Sequence, residues 1–233
     1  MRAWATAVVA LALPAACGRP ERPADPLDEA AERLVPAVPA APWPSIAVPP
    51  RVASPDPAAG RADFARLCAP CHGVKGDGRG DLARFLRVPP ANLTAGDFKL
   101  KSVPAEAAPL DADLFRTLSA GIPPSAMPSF AHLPAAQRWA LVDFAKSLST
   151  RFGDAPAAPL DLGPEPPASP AEGARVYRAA GCIACHGEGG RGDGPSAREL
   201  SPRPPDLTLG PGVFKAGASP RDVLRTLLTG FAG

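Results

Sequence analysis

The chain has 233 residues, of which 33 are proline and 22 are glycine, while aromatic residues make up only 6%. Because proline and glycine interrupt helices and strands, this composition excludes one large close-packed domain, and we expect small domains joined by linkers. The 25 basic and 23 acidic side chains leave a net charge of +2. This balance offers no basis for nucleic acid as a partner.

The first 17 residues have the pattern of an export signal. Arg2 precedes an apolar run over residues 3–13, which is much shorter than the roughly 20 residues needed to cross a bilayer. Small residues then lead to Cys17, which predicts a signal peptide over residues 1–17 with Cys17 as the site of lipid attachment. The alternative is an ordinary signal peptide cut near Ala16. We therefore expect an exported chain on the periplasmic side, tethered to a membrane through an N-terminal lipid.

Two proline-rich stretches, residues 18–56 and 154–169, separate the more regular parts of the chain. Their composition predicts extended, solvated linkers. They bound a first domain over residues 57–153 and a second over residues 170–233. The two domains resemble each other as an internal repeat.

Helix signals recur at matching places in the two domains. Asp56-Pro57 and Ser169-Pro170 each place a capping residue before a proline at the first helical position. Further helices are predicted over residues 111–121 and 219–230, each stopped by a glycine. A last helix over residues 134–148 has no counterpart in the second domain, which we therefore expect to be incomplete. No alternating pattern indicates a strand, so the predicted fold class is mainly α with long loops.

Each domain contains the pattern C-x-x-C-H. The residues are Cys68, Cys71 and His72 in the first domain and Cys182, Cys185 and His186 in the second. Two cysteines three residues apart on a helix share one face, so each can form a thioether with a haem vinyl group while the next imidazole binds the iron.

Two alternatives to haem attachment compete for these cysteines. A zinc site normally brings its cysteine pairs within about 15–20 residues, whereas here 110 residues separate the pairs. Two local disulfides are the other alternative in an oxidising compartment. Neither explains why two of the three histidines directly follow the pairs. We therefore predict two covalently bound haem c groups.

These motifs and their surroundings resemble the class I cytochrome c family, in particular two-domain dihaem cytochromes c. The resemblance covers about residues 57–152 as one full domain and residues 170–233 as part of another. It implies two cytochrome c-like helical domains wrapped round their haems. It also implies that Gly60 and Phe64 on the first helix cross the helix that carries Trp139.

The resemblance further implies the remaining haem ligands. The methionine that such proteins place on the far side of the haem matches Met127, and a thioether ligand favours Fe(II). His132 is the alternative ligand at this position. The family also uses a carbonyl to orient the ligand histidine. The residues that match it are Pro90 and Pro204, with the neighbouring Pro89 and Pro205 open as alternatives of register.

The sequence thus predicts an electron carrier in an exported or membrane-tethered respiratory chain, which exchanges electrons with redox partner proteins. The alternative is an oxidoreductase, or its haem subunit, whose second haem has an open position for peroxide or another small molecule. Met127 lies six residues after Gly121, and six residues after the matching Gly230 is position 236, beyond Gly233. We therefore expect a truncated second domain with a ligand-accessible haem.

Overall fold

The computed structural model describes residues 43–51, 56–153, 155–165, 167 and 169–231, all of which fall within the unit formed by residues 39–233. The predicted signal peptide, Cys17 and the first part of the predicted linker, residues 18–42, lie outside the described residues. A search of the described helices finds none with the length and apolar character that a membrane span requires.

Seven α-helices and several short 3-10 turns make up the described fold, and no strand occurs in this part of the chain. The helices are α1 (Pro57–Leu67), α2 (Ala69–His72), α3 (Asp111–Ala120), α4 (Ala135–Ser147), α5 (Pro170–Ala179), α6 (Ile183–His186) and α7 (Pro220–Thr229). The predicted mainly α fold class is confirmed. The helices predicted over residues 111–121, 134–148 and 219–230 agree with α3, α4 and α7 to within one residue at each end, and the helices predicted to begin at Pro57 and Pro170 begin there as α1 and α5.

Local capping explains where these helices begin. The Asp56 side chain accepts a hydrogen bond from the backbone N–H of Ala58 at 2.9 Å. The Ser169 hydroxyl accepts from the N–H of Glu172 at 3.1 Å. Each bond satisfies a backbone donor that has no partner within the first helical turn.

The first domain is built on the crossing of α1 and α4. Gly60 lies at the crossing point, where a Cβ atom would be 2.4 Å from the carbonyl oxygen of Ala140. One turn further along α1, the Phe64 ring packs against Phe144 with centroids 4.9 Å apart. Trp139, which lies on α4, is buried. The predicted crossing of Gly60 and Phe64 with the helix of Trp139 is thus observed.

Part of the predicted proline-rich linker packs on the first domain. Trp43 is only 3% exposed, and its indole N–H donates to the Thr117 hydroxyl at 3.0 Å. Arg51 forms an ion pair with Asp111 at the start of α3. Residues 43–51 therefore extend the first domain, whereas proline content alone predicts a solvated spacer over residues 18–56.

The second domain repeats the first domain from α5 to α7, but its core is less enclosed. Asp113 and Asp222 occupy equivalent positions on α3 and α7, and each carboxylate pairs with the arginine three residues later. Leu118 of α3 packs into the core of the first domain, whereas its equivalent on α7, Leu227, is 72% exposed. Among the described residues of the second domain, no helix corresponds to α4.

Candidate haem sites

Both C-x-x-C-H motifs fold as a single helical turn. In the first, the N–H of His72 donates to the carbonyl of Cys68 at 2.8 Å. In the second, the N–H of His186 donates to the carbonyl of Cys182 at 2.9 Å. The four motif cysteines are free thiols. Each motif thus has the helical geometry that was predicted for two thioether links and an adjacent imidazole.

A glycine-rich loop folds back over each motif. A Cβ atom on Gly80 would lie 2.3 Å from the carbonyl oxygen of Pro70, inside the first motif. A Cβ atom on Gly194 would lie 2.4 Å from the carbonyl oxygen of Ala184, inside the second motif. The loops therefore need glycine because the backbone passes directly over the cysteine helix.

The first motif opens onto an apolar cavity between α1, α3 and α4. Cys68, Cys71 and His72 line the cavity, and so does Met127 from the loop between α3 and α4. Apolar side chains, among them Leu114, Leu141 and Val142, form most of its wall. The predicted ligands His72 and Met127 therefore share one largely apolar cavity.

His132, the alternative ligand, does not line this cavity. Its side chain is exposed, and its ring centroid lies 6.1 Å from that of Phe130. The structure therefore favours Met127 as the residue across the cavity from His72.

The imidazole of His72 is oriented by a backbone carbonyl. Its Nδ1 lies 3.0 Å from the carbonyl oxygen of Ala91. Burial lowers the pKa of His72, while the bond to Ala91 acts in the opposite direction. When Nδ1 donates to this carbonyl, Nε2 is the nitrogen left to bind iron.

This acceptor corrects the prediction for Pro90. The carbonyl that orients His72 belongs to Ala91, one residue further along. The Pro90 carbonyl instead faces Gly78, where a Cβ atom would lie 2.8 Å from it. A shift of one residue along an extended loop reverses the direction of the carbonyl, which sequence matching does not resolve.

The thiol of Cys68 is buried beside the motif helix. Burial, assisted by the charges of Asp63 and Cys71, raises the pKa of Cys68 to about 12. The pocket therefore disfavours a charged thiolate and suits an uncharged thioether sulfur. This environment fits covalent haem attachment at Cys68.

Hydrogen bonds hold the Met127 loop against α3. Gly121 ends α3 with φ of +69°, and a Cβ atom there would lie 2.6 Å from the Met127 carbonyl oxygen. That carbonyl accepts from the N–H of Ile122 at 3.1 Å, and the N–H of Phe130 donates to the carbonyl of Leu118 at 2.8 Å. The loop is fixed on both sides of Met127, which keeps its side chain at the cavity.

The second site is less complete. The Nδ1 atom of His186 is buried and has no hydrogen-bond partner among the described residues. The carbonyl of Pro204 lies against Gly192, just as that of Pro90 lies against Gly78. Pro205, which follows Pro204, is the equivalent of Ala91 in the repeat. By this equivalence, Pro205 rather than Pro204 corresponds to the observed acceptor.

Sequence reasoning missed one pair of residues in the first cavity. Lys99 lines it from the first domain, and Lys215 lines it from the second. The available signal was the pair Phe-Lys near the end of both repeat segments. Nothing in the sequence, however, indicates that the second lysine reaches the first domain's cavity.

The zinc alternative has no matching arrangement in the structure. In the described part of the chain, no three or more His, Cys, Asp or Glu side chains come together as metal ligands. The two cysteine pairs therefore act at separate sites, one in each domain.

Comparisons with known proteins agree with this division. The family described as cytochrome c oxidase, cbb3-type, subunit III matches residues 55–144, and the family described as cytochrome c matches residues 170–219. A chain of the reducing HAO-like protein complex of Kuenenia stuttgartiensis is 35% identical, with a TM-score of 0.70, over 81% of this chain and 88% of that chain. None of the curated proteins compared with the chain matches it significantly.

The chain belongs to the c-type cytochromes and carries two cytochrome c domains. It accordingly binds two c-type haems covalently and is a haem electron-transfer protein.

Proposed function

We propose that the protein is a dihaem electron carrier of an exported respiratory chain, which passes electrons between redox partner proteins. The observation that carries the proposal is the first cavity, where an oriented histidine and a methionine lie among apolar walls. When bound, the haems supply a reversible one-electron change between Fe(III) and Fe(II).

The residues of the first domain have distinct roles in this proposal. Cys68 and Cys71 would hold the haem through thioethers, and His72, oriented by the Ala91 carbonyl, would supply a nitrogen to the iron. Met127, which lines the same cavity, would supply a soft sulfur, a ligand that favours Fe(II) and raises the reduction potential. In the second domain, Cys182, Cys185 and His186 repeat the attachment.

The exported, membrane-tethered setting rests on the N-terminal sequence. A short apolar run followed by small residues and Cys17 supports export to the periplasmic side and lipid attachment. Mass spectrometry of the mature N-terminus tests this proposal. We expect a lipid-modified Cys17 and release of the Cys17→Ser variant from the membrane fraction. An unmodified mature chain that begins at another residue would rule out the tether.

Interaction with other redox proteins has support from the structural neighbour, which belongs to a protein complex. A redox titration followed by visible absorption tests the carrier role. We expect two one-electron transitions per chain, with both haems retained after denaturation. Haem that is extracted on denaturation would contradict the attachment through the four cysteines.

A second candidate function is an oxidoreductase with an open second haem. It is favoured by one observation, because residues 170–233 contain no methionine and no histidine other than His186. Carbon monoxide binding to the reduced protein separates the two functions. An open site predicts one bound molecule for every two haems in the unmodified protein and two in Met127→Ala. If the unmodified protein binds none, another group completes the second haem and the oxidoreductase candidate loses its support.

A further inference from the structure

Two lysines at equivalent places in the repeat meet at one cavity. Lys99 follows Phe98 in the first domain, and Lys215 follows Phe214 in the second. Both line the cavity that also contains His72. Both side chains are half-buried. The second domain therefore contributes a charged residue to the haem site of the first.

Packing between the domains accounts for the position of Lys215. The next residue, Ala216, is only 6% exposed. It packs in one cluster with Trp43, Leu100 and Ala120 of the first domain. Because Ala216 is held in this cluster, the backbone of Lys215 is fixed beside the first cavity.

The cavity offers these lysines no counter-charge. No aspartate or glutamate lines it, and neither ammonium forms an ion pair with any residue that the structure describes. The Lys215 ammonium lies over the Phe231 ring, whose centroid is 5.6 Å from Nζ.

The electrostatic situation is unfavourable for two cations. Burial lowers the pKa of both lysines, and the charge of Lys215 lowers the pKa of Lys99 further. Two like charges beside apolar walls are costly unless an anion pairs with them. The cavity is thus suited to a ligand that is largely apolar but carries two negative groups.

A c-type haem has this character, because its apolar macrocycle carries two propionate carboxylates. We propose that Lys99 and Lys215 bind the propionates of the first haem, so that the second domain completes the cofactor site of the first. This inference rests on the bound haem and not on the carrier role. Two ammonium groups next to the propionates offset their negative charge, which favours Fe(II) over Fe(III) at the first iron.

The test compares charge-removing variants of the intact dihaem protein. Lys99→Gln and Lys215→Gln remove one charge each, and Lys215→Arg retains it. Lys75→Gln is the matched control, because Lys75 is exposed and does not line the cavity. The potential of the first haem is followed through the charge-transfer absorption of methionine-ligated ferric haem. Redox-difference infrared spectra report the propionate carboxylates in parallel.

We expect Lys99→Gln and Lys215→Gln each to shift the equilibrium of the first haem towards Fe(III) by up to about tenfold. This is the effect of removing a unit charge roughly 12 Å from the iron in surroundings with an effective dielectric constant of about 20. Both should shift the carboxylate infrared signals. Lys215→Arg should stay near the unmodified protein, and Lys75→Gln should change the equilibrium less than twofold because water screens an exposed charge.

Equal shifts in Lys215→Gln and Lys75→Gln, with unchanged carboxylate signals, would overturn the proposal. Unchanged potentials combined with slower reaction with an acidic redox protein would also overturn it, since the lysines would then form a docking surface. Absence of the methionine charge-transfer band in the unmodified protein would contradict Met127 ligation alone. The infrared comparison would still decide the role of the lysines.

Discussion

Replacing Gly60 by alanine tests how the first domain encloses its haem. The new Cβ would lie 2.4 Å from the carbonyl oxygen of Ala140, a full 1.0 Å inside the 3.4 Å limit of ordinary contact. The obstructing atom belongs to the backbone of α4, so α1 and α4 must separate. The same substitution in α5, Gly173→Ala, meets no atom within 4 Å. Gly173 occupies the equivalent position in the repeat and therefore provides a matched control.

The magnitude follows from two opposing effects. Alanine is favoured over glycine in a helix interior by about 0.8–1.0 kcal/mol, and this gain applies to both variants. Overpacking costs about 1–3 kcal/mol, and it applies only to Gly60→Ala. With a rigid backbone as the obstacle, we expect Gly60→Ala to destabilise the first domain by about 1–2 kcal/mol. We expect Gly173→Ala to stabilise the second by about 1 kcal/mol.

Hydrogen exchange measured by mass spectrometry resolves the two helices in one experiment. The free energy of opening should fall for peptides of α1 in Gly60→Ala and rise for peptides of α5 in Gly173→Ala. If Gly60→Ala protects α1 as much as Gly173→Ala protects α5, the close approach of α1 and α4 is not present and this description of the core is wrong.

Three further predictions concern the first domain, and two of them include a control substitution. Met127→Ala should shift the first haem towards Fe(III) by more than about tenfold, or 59 mV for one electron, and should open it to carbon monoxide. His132→Ala should have neither effect. The reverse result would make His132 the ligand. Gly121→Ala should lose the methionine charge-transfer band, because its Cβ would meet the Met127 carbonyl at 2.6 Å. Gly230 has φ of +65° and ψ of 179° but no neighbour within 4 Å, so Gly230→Ala incurs only the backbone cost of about 1–3 kcal/mol for this glycine conformation and should keep the band. Loss of the band in both variants would refute the steric reason. Trp43→Ala should lower the free energy of unfolding by about 3–5 kcal/mol in urea titrations, whereas an effect below about 1 kcal/mol would mean that residues 43–51 do not pack on the domain.

The features that the sequence predicted well are local ones. Helix ends follow from capping residues such as Ser169, and the motif helices follow from the spacing of two cysteines and a histidine. The resemblance places Met127 in the loop after Gly121, and this residue does line the cavity of His72, while its role as a ligand stays a prediction. Each of these signals involves residues close together in the chain, so the pattern carries the geometry with it.

The features that the sequence did not predict depend on contacts between distant segments. The burial of Trp43 depends on α3, about 70 residues later, and a proline-rich composition conceals it. The position of Lys215 in the first cavity depends on packing of Ala216 against another domain. The choice of Ala91 over Pro90 is a question of one residue in an extended loop, where adjacent carbonyls point in different directions.

The two domains show that haem attachment and haem enclosure are separable in this protein. Both carry the complete C-x-x-C-H helix and its glycine-rich return loop, which depend on contacts within about 30 residues. Enclosure needs α4, which packs on Gly60 but has no counterpart over Gly173 among the described residues. A covalent link can hold a haem even where little apolar surface surrounds it, so the described part of the second domain can attach its cofactor without a counterpart of α4. Since solvent exposure and axial ligation both tune reduction potential, a haem enclosed as in the first domain and one left as open as the described part of the second would differ in potential.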